Sequence, residues 1–334
     1  MTALLRAALV DLPGPDIAAA EAVAARASQA LRPPGALAAL DAIAVHLAGW
    51  QGTALPRVRQ PGVLVFAGDH GVAVGGVSNY PTSITAEMLA AVQRGRATVN
   101  VMAAGAGASV AVFDVGVGVP TGDIRYEPAL TPQRFDEITA VAFDAVDAAA
   151  DRGDDVLVLG ELGIGNTTVA AALAVAVAGV PVEQAVGRGT GVDDEGLARK
   201  RAAVTAAVAR GAAAGCDPIE MLRHIGGSEL VAIAAACVRA RRRRVPVLAD
   251  GYVVTAAMLP LHAAAAGALD HCLAGHASAE PGHRLVLDHL GLRPILSLDL
   301  RLGEGTGALA ALPLLDVACR AVTDVASFPE WFGE

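Results

Sequence analysis

The run Leu159-Gly160-Glu161-Leu162-Gly163-Ile164-Gly165-Asn166-Thr167-Thr168 holds the residue types that bind an anion. An apolar strand runs into a glycine-rich turn, and a helix is expected to open at Asn166 or Thr167. Gly163 and Gly165 let the backbone approach a ligand. The free N–H groups and dipole of a helix start favour negative charge, and the hydroxyls of Thr167 and Thr168 add donors. No Lys precedes the Thr pair, so this is not a Walker A loop, and the full dinucleotide fingerprint is absent. A monophosphate is the ligand that fits. The competing reading is a tight strand–helix turn capped by Asn or Thr.

A second loop, Gly187-Arg188-Gly189-Thr190-Gly191-Val192-Asp193-Asp194-Glu195, again joins flexible backbone to a helix start. Asp193 can cap that helix, while Asp194 and Glu195 suit its first turn. Lys200, about two turns further on, can reach back to an anion; judged alone it is a surface lysine. Glu304 lies between Gly303 and Gly305 and follows Leu302, a setting that presses a carboxylate against a flat ligand and suits a general base. Its alternative role is to cap a helix over 306–325. Glu161, Asp250 and Asp69 sit at strand ends, where carboxylates hold ligand hydroxyls or simply form turns. His271, His276, Glu280 and His283 fit no zincin spacing, and no metal site is expected from them. His70 reads as a polar strand-end residue, with no Gly-x-Ser-x-Gly elbow beside it.

These segments need a scaffold. Short apolar runs, each ending in Gly or Asp and followed by a helical stretch, occur at Val63–Ala67, Val110–Val115, Val156–Leu159 and Val245–Ala249, with a further candidate at Ile295–Leu298. Uninterrupted apolar strands alternating with helices indicate a parallel sheet covered on both faces. Ligands of such sheets sit at the carboxyl ends of the strands. Helical spacing over Ile17–Leu31 and Gly35–Trp50, broken at Arg32-Pro33-Pro34-Gly35, predicts two N-terminal helices. The expected architecture is therefore α/β. A Rossmann-like, mostly parallel sheet over 61–300 carries helices on both faces, and residues 1–60 with 305–334 form a small helical domain.

The bulk properties narrow the partners. The 334 residues are 54% hydrophobic but only 3% aromatic, which predicts a tightly packed Ala/Val/Leu core. A net charge of −9 disfavours nucleic acid. Arg241–Arg244 is the one basic run and reads as a solvated helix C-terminus. The apolar stretches 167–180, 228–240 and 252–269 are interrupted or short, so no membrane span is expected. Asp11, Pro13 and Asp16 break the first apolar run, which argues against a secretory signal and for the cytoplasm. Cys216, Cys237, Cys272 and Cys319 are widely spaced, with no pair at ligand or redox spacing, and read as small buried hydrophobes.

The order and spacing of the motifs resemble those of the nicotinate-nucleotide–dimethylbenzimidazole phosphoribosyltransferases over nearly the whole chain. Arg32-Pro33-Pro34-Gly35, Ala67 through Val72, Val77 through Pro81, Gly160–Thr168, Gly187–Lys200 and Gly226-Gly227 carry the resemblance. So do Val247 through Gly251, Gly275 through His283, and Arg301-Leu302-Gly303-Glu304-Gly305-Thr306-Gly307. The resemblance implies a homodimer acting on two small molecules, nicotinate mononucleotide and 5,6-dimethylbenzimidazole, without a cofactor. It implies a phosphate at Gly163–Thr168 and Gly187, Gly189 and Gly191, with Lys200 near. It also implies a benzimidazole pocket near Tyr80, Pro81, Met88 and Leu162, closed by Leu302 and Glu304. A bulky Tyr at 80 departs from some relatives and leaves the preferred base open. Three rivals stand beside it: a paralogue with another acceptor base, a non-catalytic nucleotide sensor, and an NAD-dependent dehydrogenase, the last disfavoured by the missing fingerprint.

Overall fold

A computed structural model describes residues 2–333. Six strands form one sheet: β1 (Pro61–Gly68), β2 (Ser109–Gly116), β3 (Val156–Leu162), β4 (Val247–Ala249), β5 (Cys272–Ala277) and β6 (Pro294–Ser297). Their order is β2-β1-β3-β4-β5-β6, and every neighbouring pair is parallel. The fold is α/β, as the alternation of apolar runs and helical stretches requires.

Both faces of the central strands β1, β3 and β4 are dry, which is why these show no polar alternation. All eight residues of β1 are buried. Leu64, Phe66, Leu157, Leu159, Val247 and Ala249 point into one core, built with the helices Pro132–Arg152, Asn166–Ala178, Ser228–Arg242 and Tyr252–Ala264. Val63, Val65, Val156, Val158 and Leu248 point the other way, where Ile43, Leu47, Leu309, Leu312 and Leu315 meet them. The Ala38–Gln51 and Thr306–Thr323 helices therefore form the layer on that second face. Val23 of the Ile17–Gln29 helix joins Ala44, Ala48 and Val322 in a smaller cluster beyond it. Among the described residues, Thr306–Thr323 is the one helix long and apolar enough to cross a bilayer. Its apolar side is spent on the sheet.

Three expectations need correction. β5 was not among the expected strands, because His276 and Gly275 interrupt its apolar pattern. Gly275 is required there, since a Cβ would lie 2.5 Å from the Cα of Ala308. The Thr306–Thr323 helix can thus lie directly on the strand. The basic run is not a solvated helix end. Arg241 is 5% exposed, donates to the carbonyls of Pro13 and Gly267, and stacks over Trp50 at 4.7 Å. Arg242 donates to the carbonyls of Ala8 and Val10, and Arg244 to that of Gly14. These guanidinium groups stitch the irregular N-terminal segment to the core. Arg241→Ala is expected to cost about 2–3 kcal/mol, the range for hydrogen bonds to a charged group. A melting temperature equal to that of the unsubstituted chain would show that the stitch carries no weight. Finally, Cys237 and Cys272 are not isolated, since their sulfurs lie 3.5 Å apart.

Candidate active site

The carboxyl ends of β3, β4 and β5 open on one crevice. Its wall includes Glu161, Leu162, Gly163, Asn166 and Thr167 after β3, Asp250 and Gly251 after β4, and His276 and Ser278 of β5 and its continuation. Ile84, Thr85 and Met88 arrive from the Ser83–Gln93 helix, Gly189 and Thr190 from the second glycine loop, and Arg301, Leu302 and Gly303 from the loop before Thr306. One end is apolar (Ile84, Met88, Leu162, Leu302) and the other carries helix-start donors, hydroxyls and a cation.

At the polar end the Asn166–Ala178 helix starts immediately after Gly165, whose φ of 95° places it in the left-handed region. Lys200 comes from the Asp194–Ala213 helix, which Asp193 caps through the N–H of Gly196. It is 1% exposed, and its Nζ lies 3.0 Å from the Thr167 hydroxyl. Burial pulls its pKa down, while the charge of Glu280 pulls it up. Glu280 is itself pushed up, by burial first, with Lys200 and the Gly189 N–H opposing. A side chain at 187 would strike the Glu280 carboxylate, and one at 189 would come within 3.0 Å of both the Lys200 Nζ and the Thr167 Oγ1. Both glycines are thus needed to bring this loop against Lys200 and Glu280.

Carboxylates gather beneath the crevice. Burial, then the charges of Asp250 and Glu229, push Glu161 up to about 8, with Glu304 adding to the rise and the Asn166 amide, which donates to Glu161, opposing it. Glu229 is fully buried against His70 at 2.6 Å. Asp250 accepts the N–H groups of Gly305 (3.2 Å) and Ala308 (2.9 Å), and His276 lies 3.4 Å from it. Asp250 therefore caps the Thr306–Thr323 helix, the alternative role read for Glu304. Glu304 is 2% exposed and its φ is 61°, between Gly303 at 88° and Gly305 at 83°. A Cβ at Gly160 would collide with the Glu304 backbone, and one at Gly303 with the Glu161 carboxylate. The glycines are what let this loop lie on β3. Burial raises the pKa of Glu304 and the Val99 N–H opposes the rise; its Oε2 is buried without a hydrogen-bond partner.

Of the residues expected at the site, Glu161, Leu162, Gly163, Asn166, Thr167, Gly189, Asp250, Met88 and Leu302 meet on the crevice wall. Lys200 and Glu304 stand directly behind it. Gly163 also serves packing, because a Cβ there would press on the Gly68 carbonyl and on Glu229. Others fall outside. Thr168 is fully buried in the helix, and Gly165 faces Ala73 and Val77. Gly187 and Gly191 do not line the crevice; Gly187 lines an adjoining cleft with Arg301 and Glu280. Tyr80 (54% exposed) and Pro81 lie on the surface stretch before the Ser83–Gln93 helix. The sequence reading missed Arg301 and Glu280 as wall residues. Arg301 sits at the start of the loop that carries Glu304, which was the available signal. His271, His276 and His283 are not one cluster: the Nδ1 of His283 accepts the Ser278 N–H, whereas His271 lies against Cys237.

An open parallel sheet with a crevice at the carboxyl ends of its strands, bounded by a helix start and a group of carboxylates, defines an α/β protein of the enzyme type. The chain belongs to the phosphoribosyltransferase family, whose model matches residues 12–331. It is 45% identical over 325 residues to the nicotinate-nucleotide–dimethylbenzimidazole phosphoribosyltransferase of Cereibacter sphaeroides, covering 97% of this chain and 95% of that one. It is also 45% identical over 323 residues to the protein of the same name from Jannaschia sp., again with 97% and 95% covered. The crystal structure of CobT from Thermus thermophilus superposes with a TM-score of 0.90 at 42% identity, covering 94% of this chain and 98% of that one.

Proposed function

We propose that this chain transfers the 5-phosphoribosyl group of nicotinate mononucleotide to 5,6-dimethylbenzimidazole, giving α-ribazole 5′-phosphate and nicotinate in cobalamin biosynthesis. The observation that carries the reading is the crevice itself, polar and cationic at the Asn166–Lys200 end, apolar at the Met88–Leu302 end, with carboxylates between. The names of the relatives support the same reaction.

Nicotinate bonded through its ring nitrogen is a pyridinium cation and leaves as a neutral ring, so no acid is needed. One benzimidazole nitrogen attacks C1′ from the opposite face, inverting β to α, and the C1′–pyridinium bond breaks. The product ring then gives up its remaining N–H proton. Positive charge passes from pyridinium through C1′ to the benzimidazole, with Glu161 and Asp250 on the crevice wall and Glu304 directly behind it. Glu304 takes the proton, supported by its unpartnered buried oxygen. Glu161 holds the ribose hydroxyls and assists. Asn166, Thr167, Gly163, Gly189 and Lys200 hold the phosphate, and Met88, Leu162 and Leu302 sandwich the base, with Tyr80 and Pro81 at its outer edge.

Incubation with nicotinate mononucleotide and a panel of benzimidazoles, read by mass spectrometry, tests the reaction and the acceptor together. Absence of nicotinate release would favour a nucleotide sensor, and release with another acceptor alone would favour a paralogue. The unpaired state of all four cysteines supports a reducing, cytoplasmic setting. Residues 1–60 and 305–334 are read as one helical unit, supported by the Val23–Ala44–Ala48–Val322 cluster. Exposed Phe328, Trp331 and Phe332 at the end of that unit support a homodimer. Light scattering is expected to give twice the chain mass; a monomer at working concentration counts against it.

A further inference from the structure

At the amino end of the sheet, on the far side from the crevice, Cys237 of the Ser228–Arg242 helix meets His271 and Cys272 at the start of β5. One donor atom of each lies within 4.8 Å of the other two, and all three residues are buried. We propose that these three side chains form a structural site for a thiophilic divalent cation, zinc being the expected occupant.

The geometry carries the assignment. Zinc–sulfur bonds of about 2.3 Å and zinc–nitrogen bonds of about 2.0–2.1 Å set the donors of a tetrahedral site roughly 3.6–3.8 Å apart. Here the two sulfurs are 3.5 Å apart, and the sulfur–imidazole separations are 3.9 Å from Cys237 and 3.7 Å from Cys272. The three donors thus already form one face of a tetrahedron. The Nε2 of His271 lies 2.9 Å from the carbonyl of Cys237. On metal binding the proton moves to Nδ1 and the Nε2 lone pair, 3.9 Å from the Cys237 sulfur and 3.7 Å from that of Cys272, exchanges that contact for the ion. Softness agrees, since two thiolates and an imidazole select zinc over magnesium or calcium. Two thiolates, a divalent ion and a neutral imidazole also sum to no net charge, which a buried site requires. Cys272 also lines a cavity with Asp270, His262 and His46. A water fills the fourth place. The bond set ties a helix to the edge half of the sheet, so it acts on stability and leaves the chemistry at the opposite edge alone.

The full chain, purified without chelator, is expected to hold about one zinc by mass spectrometry of the metal. Stripped protein given Co²⁺ is expected to show thiolate-to-cobalt charge transfer in the near ultraviolet and the d–d bands of a tetrahedral site. Cys237→Ser and Cys272→Ser lose those bands, whereas Cys216→Ser keeps them. Stripping lowers the melting temperature and leaves turnover at 25 °C unchanged. The proposal is overturned if the unsubstituted chain takes up no stoichiometric zinc and gives no charge-transfer band with Co²⁺. Because the spectrum of the unsubstituted chain decides, a variant that fails to fold leaves the result intact.

Discussion

Glu304→Gln is expected to lower turnover about 10²–10⁴-fold, the usual contribution of general base catalysis, with nucleotide binding nearly unchanged. Gln keeps the shape and the contact with the Val99 N–H but accepts no proton. A helix-capping role predicts a different result, a lower melting temperature with normal turnover. The cap is already supplied by Asp250, which accepts the N–H groups of Gly305 and Ala308. Electrostatics moves stability the other way. Burial raises the pKa of Glu304, and that of Glu161 to about 8. A carboxyl whose folded pKa lies above its unfolded value stabilises fully only below the unfolded value, and that contribution is lost as pH rises through the folded one. For Glu161 the loss runs from about 4.5 to about 8. Glu304→Gln and Glu161→Gln are therefore expected to melt no lower than the unsubstituted chain at pH 8, while turning over less. The pH profile of kcat/KM separates their roles. The proton acceptor must be ionised, so activity rises with pH above the ordinary carboxylate range, and the rising limb disappears in the variant that lacks the acceptor. A limb that survives Glu304→Gln but not Glu161→Gln would transfer the base role to Glu161. Normal turnover in Glu304→Gln would end its catalytic assignment.

What the sequence made legible was local. The central strand runs announced themselves because both of their faces are dry, so Val63 and Leu64 are equally apolar although they point into different cores. The glycine turn at 163–165 and the cap at Asp193 are decided within a few residues. What stayed hidden was decided by distant contacts. Asp250 reads as a ligand-binding strand-end carboxylate, yet its oxygens are occupied by a helix start more than fifty residues on. Arg241 reads as a solvated charge because its partners, the carbonyls of Pro13 and Gly267, lie far from it in sequence. Cys237 and Cys272 have no spacing to betray them, because β5 itself escaped notice and only its place beside the helix brings the two sulfurs together. Tyr80 shows the reverse case: a motif match puts it near the base pocket, and the structure places it on the surface stretch just before the helix that delivers Ile84, Thr85 and Met88 to the wall.

Lys200→Ala is expected to weaken nicotinate mononucleotide binding by roughly 30–100-fold, about 2–3 kcal/mol for a lost charge-assisted hydrogen bond, and to leave benzimidazole binding nearly unchanged. A surface lysine would give no such asymmetry. Lys200 is instead buried, with its ammonium 3.0 Å from Thr167 at the very turn where the Asn166–Ala178 helix starts. Burial depresses its pKa, a cost that a bound phosphate dianion offsets by restoring an opposite charge. Without the ligand only Glu280 supplies that charge. Removing the ammonium therefore leaves Glu280 near the phosphate with Arg301 as its remaining opposite charge, and the weaker balance adds to the lost attraction. Lys200→Met keeps most of the buried stem without the charge, so it separates this electrostatic loss from a cavity effect. If Met binds the nucleotide as the unsubstituted chain does while Ala does not, packing is the cause. Equal losses for nucleotide and benzimidazole, measured by calorimetry with each ligand alone, would place Lys200 in the scaffold and outside the phosphate site.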